Sequence, residues 1–385
     1  MRGRRRLTAC AVAMLACLAG EVVAQPGQRT GELEPDYLTP LRAASCPKGV
    51  TKTDAEAVPL TATSVPLQGV NPSRKTLGDL TFVAGFHLTS SDKRFGGLSG
   101  IDLLENGNLL AISDQGDFVW LDLAEDGVTP VRARIGGMHD AAADPLHGKS
   151  DADSEGLAYQ DGLALVSFEG GHRVLAFNLA ACGANARGAP ITFGPFGSDM
   201  SAAFARQGLK VGGNTGLEGL AITPDWFLFA GLESRAENAS PLSARALEDG
   251  PEFDLTIGQD MPPVVGLDIL PDGDDLRVFS LHRSTNALAS NVISLVETHF
   301  RRSIDQSRLP ANRISEIEHR THERFKPDAS RMLAQMNVFV TLDNFEGVAA
   351  RELPDGRVRL YVISDDNFSK KQRTLLMIYD VRKPG

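Results

Sequence analysis

Beyond its first two dozen residues the sequence has no apolar run approaching the ~20 residues that a transmembrane helix needs, so no membrane span is expected. It also lacks a Gly-x-Ser-x-Gly elbow, a His-Glu-x-x-His pair, a P-loop and a Gly-x-Gly-x-x-Gly fingerprint. Those absences remove motif support for serine hydrolase, zinc peptidase and nucleotide-fold readings. Cysteine is scarce, and neither a Cys-x-x-Cys pair nor a Cys/His zinc spacing occurs. Nor is there an excess of positive charge: the formal net charge is −10 over 385 residues. Such an acidic chain has no basic face with which to neutralise a nucleic-acid backbone, and a cation or metal-bridged ligand suits it better. With 42% hydrophobic residues the chain is too apolar for general disorder.

The N-terminus runs from a basic segment (Met1 to Arg6) through an apolar stretch (Leu7 to about Gly20) to Val22-Val23-Ala24 before Gln25. These are the three regions of a secretory signal over residues 1–24, which predicts a periplasmic or secreted bacterial protein. An uncleaved anchor, or a lipoprotein cut before Cys17, is the alternative. Cys10 and Cys17 would leave with the signal, and in an oxidising compartment Cys46 and Cys182 are then expected to pair, with two unpaired, buried thiols as the alternative. Residues 25–75, rich in Pro, Thr, Ser and Ala, show no sustained period and read as an irregular leader.

From about Thr76 a phrase recurs: a small or acidic residue, Gly, an apolar pair, a turn, then an apolar run ending in a polar cluster. Its copies begin at Gly97-Leu98-Ser99-Gly100, Asp153-Ser154-Glu155-Gly156, Gly216-Leu217-Glu218-Gly219, Val265-Gly266-Leu267-Asp268 and Asn344-Phe345-Glu346-Gly347. Each copy reads as a hairpin, through an Asx-Gly or Pro-Asp-Gly turn in four copies and Pro224-Asp225 in the third. Five copies and an unassigned β-like stretch, Leu80 to Leu88, predict an all-β fold, a single six-bladed β-propeller over residues 76–385. A pair of β-sandwiches is the structural alternative. Residues 294–337 break the pattern; the segments Ser315 to Arg324 and Asp328 to Met336 read as a charged helical insertion over one face. Within it His319 and His322 share a helical spacing with Glu323 beside them.

Acids accumulate at equivalent repeat positions. Glu155, Glu218 and Glu346 precede Gly, while Asp114, Glu169, Glu233 and Asp365 or Asp366 close a following strand. A propeller gathers such positions around one axis, where carboxylates repel unless a hard cation or arginines neutralise them. Arg94, Arg173, Arg235, Arg283 and the run Lys370, Lys371, Arg373 lie near the same strand ends. An acid before Gly can instead fix a turn by accepting backbone N–H bonds, so an architectural role stands beside the ligand role. Asp151 to Gly156 also mimics the opening of a calcium loop, though Gly162 stands where a bidentate Glu is expected.

The phrases FGGLSGID with SDQG, DSEGLA with SFEGGHR, TGLEGLAITPD, and NFEGVAARELPDG with VISDDNFSKKQRT resemble the phytase-like family, the "esterase-like activity of phytase" proteins, from about Leu77 to Val381. The resemblance implies a β-propeller, bacterial export and phosphoester or ester hydrolysis. Two departures stand out: Gly266-Leu267-Asp268 where other repeats have Glu-Gly, and Gly170 where relatives often carry charge.

The combined expectation is a metal-assisted phosphoester hydrolase with Glu155, Glu218 and Glu346 catalytic. Asp114, Glu155, Glu169, Glu218, Glu233, Glu346 and Asp365 would hold Ca²⁺, and Arg173, Arg283 and Lys370 would bind substrate. The expected partner is a small phosphorylated or ester substrate, with no nucleic acid, and the chain is expected to act as a monomer. A non-catalytic propeller that captures a periplasmic ligand or protein is the alternative, with a purely structural envelope component as a third reading.

Overall fold

A computed structural model describes residues 37–191, 201–206, 208–209, 216–235, 238–247, 252–285, 291–304 and 323–382. The expected signal segment, His319 and His322 lie outside the described residues. Among the described residues no helix is long and apolar enough to cross a membrane.

The leader supplies α1 (Leu38–Ser45), β1 (Glu56–Val58) and β2 (Thr61–Ser64), followed by β3 (Thr76–Leu77) and β4 (Leu80–Thr89). Four-stranded antiparallel units come next. The first holds β5 (Leu98–Leu103), β6 (Leu109–Ser113), β7 (Asp117–Leu123) and β8 (Pro130–Gly137). After α2 (Gly148–Asp151), the second holds β9 (Ser154–Gln160), β10 (Leu163–Phe168), β11 (Arg173–Asn178) and, beyond α3 (Leu179–Cys182), β12 (Ala189–Pro190). Helix α4 (Ser201–Arg206) precedes the third: β13 (Leu217–Ile222), β14 (Phe227–Leu232), β15 (Ser240–Ala246) and β16 (Glu252–Ile257). The fourth is β17 (Val264–Asp272), β18 (Asp275–Thr285), β19 (Asn291–Ile304) and β20 (Glu323–Met336). The last is β21 (Asn344–Glu352), β22 (Val358–Asp365) and β23 (Leu375–Val381), completed on its outer side by β4. Tight reversals join the strands: Asp161 and Gly162 both have positive φ, 45° and 77°, as a two-residue type I′ turn requires.

The first strands of these units, β5, β9, β13, β17 and β21, pack side by side in a closed ring, so the fold is a β-propeller. It has five blades among the described residues, not the expected six. The stretch Leu80 to Leu88, counted as a sixth blade from its composition, is β4, which pairs antiparallel with β23 (Leu376 opposite Phe86, Met377 opposite Gly85). Strands from opposite ends of the domain thus close the ring within one blade, leaving no seam between first and last blades. β1 extends the first blade through β8, and β2 extends the last through β4.

Five apolar clusters fill the five blade boundaries, for example Val265, Phe279 and Leu295 of the fourth blade against Phe345, Leu360 and Leu375 of the fifth. Each sheet is therefore apolar on both faces, which is why the strands read as near-continuous hydrophobic runs. Cys46, just after α1, and Cys182, at the end of α3, form a disulfide with Cα atoms 5.7 Å apart, tying the leader to the second blade.

The expected helical insertion is corrected where it is described: residues 291–304 and 323–336 are the paired outer strands β19 and β20. Their charges do not face water from a helix but pair across strands. Glu297 accepts from Arg277 of β18 at 2.6 Å and from Arg331 of β20 at 2.5 Å. Pro327 is accommodated at a break in the β19–β20 register, between His299 and Phe300.

Candidate active site at the acidic axial mouth

Every inner strand carries a β-bulge near its start. In β5 the pairing steps from Leu98–Ser113 to Gly100–Ile112, leaving Ser99 as the extra residue. The same shift falls beside Glu155 in β9 and at Glu218 in β13, Val265 in β17 and Glu346 in β21. A bulge re-aims side chains, and Ser99, Glu155, Glu218 and Glu346 line one cavity on the propeller axis. That cavity measures only ≈ 10 Å³, about the space of one water. The glycine after each bulge permits this closeness. A Cβ at Gly156 would come within 2.7 Å of the Leu220 Cβ and 3.0 Å of the Glu218 carbonyl oxygen.

A second ring lies above the first, near the end of the second strand of each blade: Asp114, Glu169 and Glu233 just after it, Asp365 at its last residue and Arg283 two residues before the end of β18. A repeated backbone bond fixes four of these positions. Asp114 donates its N–H to Gly97 (2.9 Å), Glu169 to Asp153 (2.9 Å), Glu233 to Gly216 (3.0 Å) and Arg283 to Pro263 (3.0 Å). The expected convergence of acids thus occurs on one face, at the entrance of the inner strands.

The fourth blade breaks both rings, with Val265 inside and Arg283 outside. Arg283 donates to Asn344 Oδ1 (2.8 Å), to Glu233 Oε1 (2.8 Å) and to Glu346 Oε1, bridging the third and fifth blades. Asn344 Nδ2 also donates to Glu346 Oε1 at 2.8 Å. The apparent departure at Gly266-Leu267-Asp268 resolves in register. Gly266 matches the other glycines, and Asp268 lies at the far end of the axis with its counterpart Asp102. There Asp268 accepts the Ala350 N–H (2.5 Å) and Asp102 the Tyr159 N–H (2.6 Å), each from the next blade. These two acids stitch blades together.

On the second blade, one carboxylate oxygen each from Asp153, Glu155 and Glu169 lie within 4.8 Å of one another. Burial, reinforced by Glu218 and Glu346, pushes Glu155 well above the usual carboxylate range. Burial and the Asp153 charge raise Glu169 to about 7, and burial with Glu346 raises Asp365 to about 8. Glu218 is raised by burial and by Glu233. It is 6% exposed and lines the axial cavity. Burial also raises Glu346, with Arg283 acting in the opposite direction. Carboxylates this close, with charging made costly at Glu155 and Glu169, are the donor type of a hard divalent cation, which takes six to eight oxygens. The group can hold a metal. Asp153 was not among the ligand candidates; its sequence signal was the calcium-loop-like opening from Asp151.

The candidate cations are placed differently. Arg283 is inside the mouth. Arg173 is engaged by the Gly170 and Asp151 carbonyl oxygens, both at 2.6 Å, and its guanidinium lies over the Phe168 ring. Lys370 is exposed on the loop between β22 and β23, on the mouth face. In the same loop Asp366 accepts the Gly97 N–H at 2.9 Å and the Phe368 N–H at 3.1 Å, so it serves the backbone.

A closed ring of five blades among the described residues, with an acidic axial mouth, defines a β-propeller. The sequence model described as "Phytase-like: Esterase-like activity of phytase" matches residues 93–368, and the chain belongs to that family. No curated protein matches it in sequence. Among solved structures, it is similar to the PQQ-bound aldose sugar dehydrogenase of Streptomyces coelicolor, at 12% identity and TM-score 0.39, covering 85% of this chain and 100% of that one. It is also similar to Myxococcus xanthus glutaminyl cyclase, at 10% identity and TM-score 0.39, covering 79% and 97%. The PQQ domain of Coprinopsis cinerea pyranose dehydrogenase matches at 11% identity and TM-score 0.39, covering 86% and 99%. Likeness at this level carries no functional argument.

Proposed function

We propose that the protein is an exported, Ca²⁺-assisted phosphoester hydrolase working at this mouth. The carrying observation is the Asp153, Glu155 and Glu169 group, whose carboxylate oxygens lie within 4.8 Å of one another. These three residues would hold the cation. Once bound, a divalent cation polarises a phosphoryl oxygen and makes water a better nucleophile near neutral pH. Around it, Arg283 fixes the orientation of Glu346 and of Asn344. Glu218, lining the same cavity, is held toward its protonated form by burial and can pass a proton to the departing oxygen. Lys370, exposed on the mouth face, supplies positive charge toward the phosphate. The ≈ 10 Å³ axial cavity is too small for a substrate, so the reaction takes place above the inner ring.

One observation favours a second reading, a cation-dependent binding propeller without turnover. Arg283, the arginine within the mouth, is already engaged by three side-chain acceptors. Phosphate release from an aryl phosphate and an inositol phosphate, with Ca²⁺ and with chelator, separates the two. The hydrolase reading requires calcium-dependent release that Glu155→Gln abolishes. Release that persists in chelator refutes the metal role, and no release under any condition leaves the binding reading.

A further inference from the structure

Beside the acidic mouth lies a groove of ≈ 840 Å³, within the size range of small-molecule sites. Its walls are residues 68–70 of the leader, Asn291 at the start of β19, residues 338–343 before β21, and Lys371 and Arg373 of the β22–β23 loop. All but the leader segment lie on the mouth face, in connections or at the start of β19, and the groove joins the mouth through side chains. Asn291 Nδ2 donates to Asn344 Oδ1 at 3.3 Å, and Asn344 donates to Glu346.

Two features make this more than a surface crease. Of the six large hydrophobic side chains exposed among the described residues, three line it: Val70 (92% exposed), Phe339 (73%) and Val338 (54%). They stand on pinned backbone. Gln68 Nε2 donates to the Phe339 carbonyl (2.8 Å), and Thr341 donates its N–H to Leu67 (2.8 Å) and its hydroxyl to Pro66 (2.5 Å). The apolar surface is therefore held open to water in a fixed place, at a standing cost in hydration. The second feature is charge. Arg373 is tied to Asp343 Oδ2 (3.2 Å) and the Leu342 carbonyl (3.0 Å), whereas Lys371 is exposed and has no ion-pair partner among the described residues. Apolar wall and free ammonium face the same space.

We propose that this groove seats the organic group of a phosphomonoester whose alcohol is apolar, Phe339 and Val70 covering the hydrocarbon and Lys371 meeting the phosphate charge. The inference rests on the hydrolase reading and narrows its substrate class. A densely phosphorylated polyol would expose no hydrocarbon to Phe339 and would set several negative charges against a mouth of carboxylates.

The test is a fluorescence titration of the purified protein with 1-naphthyl phosphate in chelator, where a metal-dependent reaction is off and affinity reads the groove alone. Saturable binding is expected, about tenfold tighter than for inorganic phosphate or 1-naphthol. Phe339→Ala, Val70→Asp and Lys371→Glu should each weaken it about five- to tenfold with the melting temperature unchanged, since all three side chains are exposed. Absent binding, inorganic phosphate binding as tightly as the ester, or unchanged affinity in both Phe339→Ala and Val70→Asp overturns the proposal. Failure of the hydrolase reading looks different: naphthyl phosphate binds with the expected mutational pattern, but no phosphate is released when Ca²⁺ is added.

Discussion

Arg283 and Glu346 meet across the boundary between the fourth and fifth blades, guanidinium Nη1 donating to carboxylate Oε1. Arg283 stands where three other blades place an acid and one places Glu233, which it also engages. One side of the mouth is therefore neutralised from within the protein. On the other side, Asp153, Glu155 and Glu169 of the second blade have, among the described residues, only Lys149 Nζ at 3.8 Å from Asp153, on a side chain 80% exposed. The asymmetry places the demand for a foreign cation on the second blade.

Removing Arg283 leaves Glu233 and Glu346 facing one another and Glu218 without a neutralising charge. Arg283→Ala is expected to cost about 3–5 kcal/mol, the usual penalty for breaking a buried ion pair from one side. Urea unfolding at pH 7 measures it. Arg283→Ala combined with Glu346→Gln should recover part of the loss, and a strictly additive double variant contradicts the coupling.

Burial raises Glu169 and Asp268 to about 7 and Asp365 to about 8, from ordinary values of 4.5 for Glu and 3.8 for Asp. In that interval the folded chain holds protons that the unfolded chain has released. Their stabilising contribution is full below about pH 4 and is lost as pH rises toward 8. In chelator the melting temperature should therefore fall between pH 5 and pH 8. Ca²⁺ should raise it at pH 8 and have little effect at pH 5, where protons occupy the same oxygens. Scanning calorimetry at both pH values checks the sign.

The glycine after each bulge is required by the neighbouring blade. A Cβ on Gly266 would overlap the backbone carbonyl oxygen of Glu346, whereas one on Gly273 meets nothing within 4 Å and bears only the strain of φ +63°. Gly266→Ala should destabilise by about 2–3 kcal/mol and Gly273→Ala by about 1 kcal/mol. Equal effects in denaturant unfolding would show that blade packing is not what selects Gly266.

The Cys46–Cys182 bridge spans a sequence separation of 136 residues. On the chain-entropy model it contributes about 5 kcal/mol, and measured bridges typically give about 2–4 kcal/mol. Cys182→Ser, or reductant, should lower the denaturation midpoint accordingly, with the slope of the transition used to separate native-state from unfolded-state effects.

The five inner hairpins were legible because each carries its own local signs: a glycine after the bulge, a tight turn and an apolar return strand. Leu80 to Leu88 carries the composition of a strand but no such phrase, and its partner β23 lies almost 300 residues away, a pairing that no local pattern displays. The segment Asp328 to Met336 has a helix-like charge pattern for a related reason. Arg331 looks like a solvated helix residue until Glu297 is placed opposite it. At the site, the repeat spacing identified the acids that surround the mouth. It did not single out Asp153, which opens the second copy two residues before Glu155, or distinguish Arg283 from Arg173. That distinction lies in Glu233 and Glu346, which reach Arg283 from two other blades.

The most direct test of the cation-binding mouth is a calorimetric titration of the purified, chelator-treated protein with Ca²⁺ at pH 8. The account predicts saturable binding that is lost in Glu155→Gln and retained in Asp102→Asn, whose carboxyl serves the Tyr159 N–H at the far end of the axis. Absence of binding, or unchanged binding in Glu155→Gln, contradicts it.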